Sequence, residues 1–133
     1  MHRTILCIDD APRVLMIYKR ILEDHGYRVI LASSGLEGLE ALKRYPVDCI
    51  LLDYQMPDMD GRAVIRLLRQ SETPPPVILA SGSDIPREVL EQADAFVRKP
   101  VGIAELLDCI EGVIGRTEIE HPPQQVETPE ESP

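Results

Sequence analysis

No cluster of lysine or arginine, no CxxC spacing and no hydrophobic run near the length of a membrane span occurs in this sequence of 133 residues. Each absence excludes a class of protein. Direct nucleic-acid binding draws its affinity largely from Lys and Arg on phosphates, and this chain carries a net charge of -9. The three cysteines, Cys7, Cys49 and Cys109, are odd in number and far apart, which argues against both a zinc site and a disulfide frame. Two of them lie in apolar runs where a buried thiol behaves as a small hydrophobe, as expected of a chain in a reducing cytosol. The opening MHRTILCIDD reaches two acids after a short apolar run. That is too little for a signal-peptide core or for the ~20 apolar residues of a membrane span. The chain is expected to be cytoplasmic, with no membrane insertion.

A length of 133 residues and 44% hydrophobic content suit one domain with a modest core. Residues 117 to 133 hold five Glu and four Pro with no Lys or Arg, and so carry over half of the charge imbalance. With two isolated aliphatics and no aromatic, that segment cannot bury enough apolar area to offset its ordering entropy. The expected division is a folded domain over 1–116 and a disordered acidic tail over 117–133.

Within the first part, strand-like and helix-like periods alternate. After the apolar run at 4 to 9, Pro12 opens a stretch with Val14, Leu15, Tyr18, Ile21 and Leu22 at helical spacing, and Gly26 supplies a left-handed stop. Residues 27 to 32 form the second strand, and Ser34 caps a helix carrying Leu36, Leu39 and Leu42. Gly38 inside that helix costs roughly 1 kcal/mol relative to Ala. CILLD at 49 to 53 is apolar up to its final acid, as a strand covered on both faces should be. A helix near 61 to 70, a strand at 77 to 80, a short helix near 86 to 92, a strand at 95 to 97 and a helix near 103 to 115 complete five βα units. Such alternation predicts an α/β fold with a parallel sheet and right-handed crossovers.

Four of these runs end in residues suited to phosphoryl chemistry: ILCIDD in Asp9 and Asp10, CILLD in Asp53, VILAS in Ser81, and AFVRKP in Lys99. In open parallel sheets the ligand lies beyond the carboxyl ends of the strands, where strand order reverses. A lone Asp after a strand is most often a cap or turn former. Three that converge would repel one another unless a cation sits among them. A hard, oxygen-rich cluster open to water suits Mg²⁺. The expected site is a divalent metal at Asp9, Asp10 and Asp53, with one of these carboxylates as nucleophile, because no Ser, Cys or His pairs with an evident base.

Residues 3 to 116 resemble the receiver domain of bacterial two-component response regulators. The resemblance rests on the Asp9-Asp10 pair, the loop from Asp53 through Tyr54, Gln55, Met56, Pro57, Asp58, Met59 and Asp60 to Gly61, Ser81 after the fourth strand, and Lys99-Pro100 after the fifth. It implies a flavodoxin-like doubly wound sheet of five parallel strands in the order 2-1-3-4-5, with helices on both faces. It also implies roles. Asp53 takes a phosphoryl group from a phosphohistidine on a histidine kinase or histidine phosphotransfer protein. Asp10 and the Gln55 carbonyl hold Mg²⁺, Asp9 orients the metal's water shell, and Ser81 and Lys99 bind phosphoryl oxygens. The phosphoryl group would draw Ser81 inward and vacate space for Phe96, a two-state switch. Phe96 has no hydroxyl to satisfy when buried, so its inward rotamer should be accessible even without phosphate. The Lys99-Pro100 peptide should be cis.

Two departures from the family pattern bear on these expectations. Ala11 stands where a third acid commonly follows the pair, which should weaken metal binding somewhat. Only 18 positions separate Ser81 from Lys99, so the fourth helix should be short or irregular. Three rival readings exist. A haloacid dehalogenase-type phosphatase needs a second acid where Ala11 stands. A flavodoxin-type FMN binder would meet two repelling carboxylates in its phosphate loop. A non-phosphorylated interaction module on the same fold would not need Asp53, Ser81 and Lys99 together. No effector domain is expected after residue 116, so the chain should work by docking a downstream protein or relaying phosphate, as an acceptor and not a turnover enzyme.

Overall fold

A computed structural model describes residues 2–57 and 61–120, with side chains through Gly115. Ten elements alternate along the chain: β1 (Thr4–Ile8), α1 (Pro12–Asp24), β2 (Arg28–Ala32), α2 (Gly35–Arg44), β3 (Cys49–Asp53), α3 (Gly61–Leu68), β4 (Val77–Ser81), α4 (Arg87–Leu90), β5 (Ala95–Arg98) and α5 (Ile103–Glu120). The strands form one sheet in the order β2-β1-β3-β4-β5, and every neighbouring pair is parallel. This is the predicted doubly wound, flavodoxin-like architecture.

Side-chain alternation divides the core in two. Ile5, Cys7, Cys49, Leu51, Ile78, Ala80 and Val97 form one cluster with residues of α1 and α5. Leu6, Ile8, Ile50, Leu52, Val77 and Leu79 form the other, with residues of α3 and α4 and partners on α2. β3 and β4 are buried at every position, which is why their sequences read as unbroken apolar runs. Burial pushes the Cys7 and Cys49 thiols far above their usual range, in keeping with their role as small hydrophobes.

The predicted stops and starts are in place. Gly26 adopts φ 92° after α1. Ser34 Oγ accepts from the Glu37 N–H at 3.1 Å, and Glu37 Oε1 accepts in return from the Ser33 N–H at 2.7 Å. Gly38 carries a second meaning that helix propensity does not show. A Cβ there would lie 2.3 Å from Ile8 Cδ1 and 2.8 Å from Cγ1, so the missing side chain is what lets α2 rest on β1. Ile8 is buried, so its side chain would have to shift within the core to admit a Cβ. Gly38→Ala should therefore cost about 1–3 kcal/mol through overpacking against the roughly 1 kcal/mol of propensity it gains, a net destabilisation of up to about 2 kcal/mol. A urea titration should show a lower midpoint with an unchanged slope.

α4 is a single short turn, as the spacing from Ser81 to Lys99 predicts. Val89 anchors it in the core with no exposed surface. An arginine just past α3 braces the turn between α4 and β5: Arg69 donates through Nε to the Gln92 carbonyl at 2.8 Å and through Nη2 to Asp94 Oδ2 at 3.0 Å. The same Asp94 oxygen accepts from the Val77 N–H at 2.8 Å, joining the start of β4 to that turn.

One boundary differs from expectation. α5 runs to Glu120, so the division expected at 116 falls inside the helix. Each added helical residue gains a backbone hydrogen bond without a new nucleation cost, and Thr117–Glu120 contains no Gly or Pro to stop it. The rest of the expected tail, 121–133, and Asp58, Met59 and Asp60 of the β3–α3 loop lie outside the described residues. Among the described residues no helix is long and apolar enough to cross a membrane.

Candidate functional site

Strand register builds the site. Ile8 lies opposite Leu52, so one further step places Asp9 beside Asp53. Asp53 lies opposite Ala80, and Ser81 opposite Arg98, so Ser81 and Lys99 follow at the same carboxyl edge. Sequence positions as distant as 9 and 99 thus become neighbours through backbone pairing alone.

Asp9, Asp10 and Asp53 each offer a carboxylate oxygen, and these three oxygens lie within 4.8 Å of one another. Asp9 and Asp53 are buried, whereas Asp10 is exposed. Asp9 is held from two sides: Oδ1 accepts from the Ala11 N–H at 2.9 Å, and Oδ2 accepts from Lys99 Nζ at 2.7 Å. The same ammonium stands 3.4 Å from Asp53 Oδ1, so Lys99 bridges the two buried acids. The Gln55 N–H also points at Asp53 Oδ1, at 3.4 Å.

This arrangement leaves more negative charge than one lysine balances. Burial, and then the neighbouring Asp9 charge, push the Asp53 carboxyl up to about 6, against the opposing pull of Lys99 and the Gln55 N–H. Burial draws the Lys99 ammonium downward, but its hydrogen bond to Asp9 and the Asp53 charge outweigh this and hold it above its usual value. A buried carboxylate that is hard to ionise, beside two further acids of which one faces water, is a donor set that fits a hard hydrated cation such as Mg²⁺.

The remaining predicted residues stand at the same edge in different engagements. Ser81 is buried, and its hydroxyl donates to the Ser83 carbonyl at 2.9 Å while accepting from the Ser83 N–H at 3.0 Å. It is thus tied into its own turn and not into the acid cluster. The Lys99 N–H donates to the Ser81 carbonyl at 2.9 Å, and the Lys99-Pro100 peptide is cis. Phe96 is half-buried against the α3/α4 side of the core, with the Arg98 guanidinium 5.7 Å from its ring centre. Gln55, Tyr54, Met56 and Pro57 line a shallow hollow beside the acids. Larger hollows lie at the opposite edge of the sheet, among residues such as Thr4, Tyr27 and Pro46, remote from this chemistry.

Gly61 belongs to the site through the backbone. Its N–H donates to the Tyr54 carbonyl at 2.6 Å, and a Cβ on it would fall 2.7 Å from Tyr54 Cα. The loop leaving Asp53 is therefore pressed against the first turn of α3. Sequence inspection places Gly61 in the motif without revealing this contact, because the partner atoms belong to a residue seven positions earlier.

A doubly wound parallel sheet whose carboxyl edge gathers three acids, a hydroxyl and a lysine defines a phosphoacceptor signalling domain. The chain belongs to the response regulator receiver domain family, whose description matches residues 5–111. Among curated proteins it is 35% identical to the transcriptional regulatory protein KdpE of Mycobacterium tuberculosis, over 89% of this chain and 55% of that protein. It is also 35% identical to the response regulator MprA of Mycobacterium leprae, over 85% of this chain and 51% of that one. The chain thus spans about half the length of these relatives. Among solved structures, a receiver domain protein from Clostridium thermocellum superposes with a TM-score of 0.81 at 30% identity, covering 89% of this chain and 98% of that one. The receiver domain of the Pseudomonas aeruginosa sensor histidine kinase PA1611, described with a magnesium ion coordinated in its active site cleft, gives 0.79 at 26% identity, covering 86% and 99%.

Proposed function

We propose that Asp53 is the phosphoryl acceptor, and that Asp9, Asp10, Asp53 and the Gln55 carbonyl form the Mg²⁺ site. The observation that carries this reading is the Lys99 bridge between Asp9 and Asp53 beside three converging carboxylates. An oxygen of the Asp53 carboxylate attacks the phosphorus of a phosphohistidine. The new P–O bond forms as the P–N bond breaks, and the freed imidazole takes a proton. Bound Mg²⁺ would supply charge neutralisation on the phosphoryl oxygens, the main electrostatic need of such a transfer. The Gln55 N–H keeps the Asp53 oxygen oriented. Lys99, released from part of its contact with the acids, pairs with a phosphoryl oxygen, and the Ser81 hydroxyl turns from Ser83 to another. That movement frees space for Phe96.

The donor in this reading is a histidine kinase or histidine phosphotransfer protein, and the output is altered docking to a downstream protein or onward relay of the phosphoryl group, in the cytoplasm. Direct contact with nucleic acid by this domain and membrane insertion are not part of it. The protein is an acceptor and not a turnover enzyme, with the domain that ends in α5 as the working unit and the acidic segment after it outside the chemistry.

The metal site is tested by Asp10→Asn. Asp10 is exposed, so the fold should persist, while Mg²⁺ affinity should fall at least about tenfold, as for loss of any metal-supporting carboxylate. Isothermal titration of wild type and variant with Mg²⁺ measures this directly. Equal affinities would remove Asp10 from the ligand set.

A further inference from the structure

Arg98 joins two parts of the molecule that a switch would have to move. It is exposed, immediately precedes Lys99, and lies opposite Ser81 in the β4–β5 register. Phe96 and Arg98 are two residues apart on β5 and so share a face of the sheet. The Arg98 guanidinium stands 5.7 Å from the Phe96 ring centre, within cation–π reach, and its Nη2 donates to Asp84 Oδ1 at 3.2 Å. Asp84 follows Ser83, the residue that holds the Ser81 hydroxyl through its backbone carbonyl and N–H. One side chain therefore covers the Phe96 ring and ties down the loop that retains Ser81.

We propose that Arg98 is a positioning residue that sets the resting bias of the switch by clamping Phe96 and the β4–α4 loop together. The proposal rests on the phosphoacceptor reading above. When Ser81 turns toward a phosphoryl group, residues 82 to 84 move with it, the Asp84 carboxylate leaves Arg98, and the ring loses the partner that holds it. Breaking the clamp by mutation should have the same consequence without phosphate. Both contacts are solvent-exposed and individually weak, so the resting preference should drop by about three- to tenfold. Because a ligand's apparent affinity scales with the fraction of competent protein, beryllofluoride with Mg²⁺ should bind tighter by the same factor.

Phe96 is the only phenylalanine in the chain, so incorporation of 4-fluorophenylalanine places one ¹⁹F resonance on the ring of interest. In the wild type this resonance should shift on saturation with Mg²⁺ and beryllofluoride. Arg98→Ala should move the unliganded resonance part of the way to the saturated position and lower the beryllofluoride midpoint about three- to tenfold. Arg98→Lys keeps the charge facing Asp84 but loses the flat contact with the ring, and should fall between them. Asp84→Ala, at a side chain that is almost fully exposed, should shift the midpoint in the same direction from the other end of the clamp. The difference in beryllofluoride midpoint between wild type and Arg98→Ala should shrink in 1 M salt, where the ion pair is screened over ~3 Å. If the wild-type resonance ignores beryllofluoride, the switch reading itself fails. If it responds in the wild type and in Arg98→Ala with the same midpoint and the same starting position, the clamp alone is refuted.

Discussion

Asp53→Asn is expected to abolish phosphoryl uptake and, in metal-free buffer at neutral pH, to make the protein more stable. Loss of uptake follows because an amide has no carboxylate oxygen to attack phosphorus, and Asp9 and Asp10 sit at the end of β1 with one of them already held by Lys99. The stability gain follows from linkage. The Asp53 carboxyl ionises at about 6 in the folded chain against an ordinary value of 3.8. Between these values the folded state keeps a proton that the unfolded state has released, so acid favours the fold. Above pH 6 both states are ionised, and the folded state bears the full cost of the buried charge, on the order of 2–3 kcal/mol. An asparagine removes that cost. Melting curves of the two proteins should therefore differ most above pH 6, converge as pH falls from 6 to 4, and coincide below. Adding Mg²⁺ should narrow or reverse the difference by stabilising the wild type selectively. A wild type that outlasts Asp53→Asn at pH 8 without metal would contradict the picture of an undercompensated acid pocket.

Gly61→Ala is the second large expected effect, and it acts on the site without touching its chemistry. The added methyl would lie 2.7 Å from the Tyr54 Cα and 3.0 Å from its carbonyl oxygen, both backbone atoms with no rotamer to yield. Either α3 moves away or the loop after Asp53 does. Overpacking of this kind costs about 1–3 kcal/mol, and the displaced loop carries Gln55, whose N–H orients Asp53. The expected outcome is a lower urea midpoint together with slower labelling by acetyl phosphate and weaker Mg²⁺ binding. Gly112→Ala provides the contrast. It lies within α5, where a Cβ meets nothing within 4 Å, so the same substitution should stabilise by up to about 1 kcal/mol and leave labelling untouched. Equal behaviour of the two variants would mean that Gly61 is an ordinary helix-start residue.

These predictions show which parts of the molecule can be read from sequence. The strand tips were legible because apolar runs ending in Asp9, Asp53, Ser81 and Lys99 carry their own period and their own stops. Once the strands are parallel, register brings the tips together. The short α4 was legible from the spacing of Ser81 and Lys99 set against the pattern of the family that the chain resembles. What sequence does not carry is the atom on the other side of a close approach. Gly38 reads as a cost to its helix until Ile8 is seen beneath it, and Gly61 reads only as the end of the loop after Asp53 until Tyr54 is seen against it. The engagements of the resting state were equally hidden. Lys99 pairs with Asp9 at 2.7 Å, and Ser81 with Ser83 at 2.9 Å, so both groups are occupied before any phosphoryl arrives. The Arg98 contact with Phe96 and Asp84 could not be anticipated either, since 14 positions separate the two charges.

The most direct test of the central claim is to incubate the protein with acetyl phosphate and Mg²⁺, then locate the modification by mass spectrometry under conditions that preserve acyl phosphates. The account predicts one phosphoryl group, on the peptide containing Asp53, absent when Mg²⁺ is omitted and absent in Asp53→Asn. A phosphoryl group on another residue, or steady release of phosphate with no labelled protein, would contradict it.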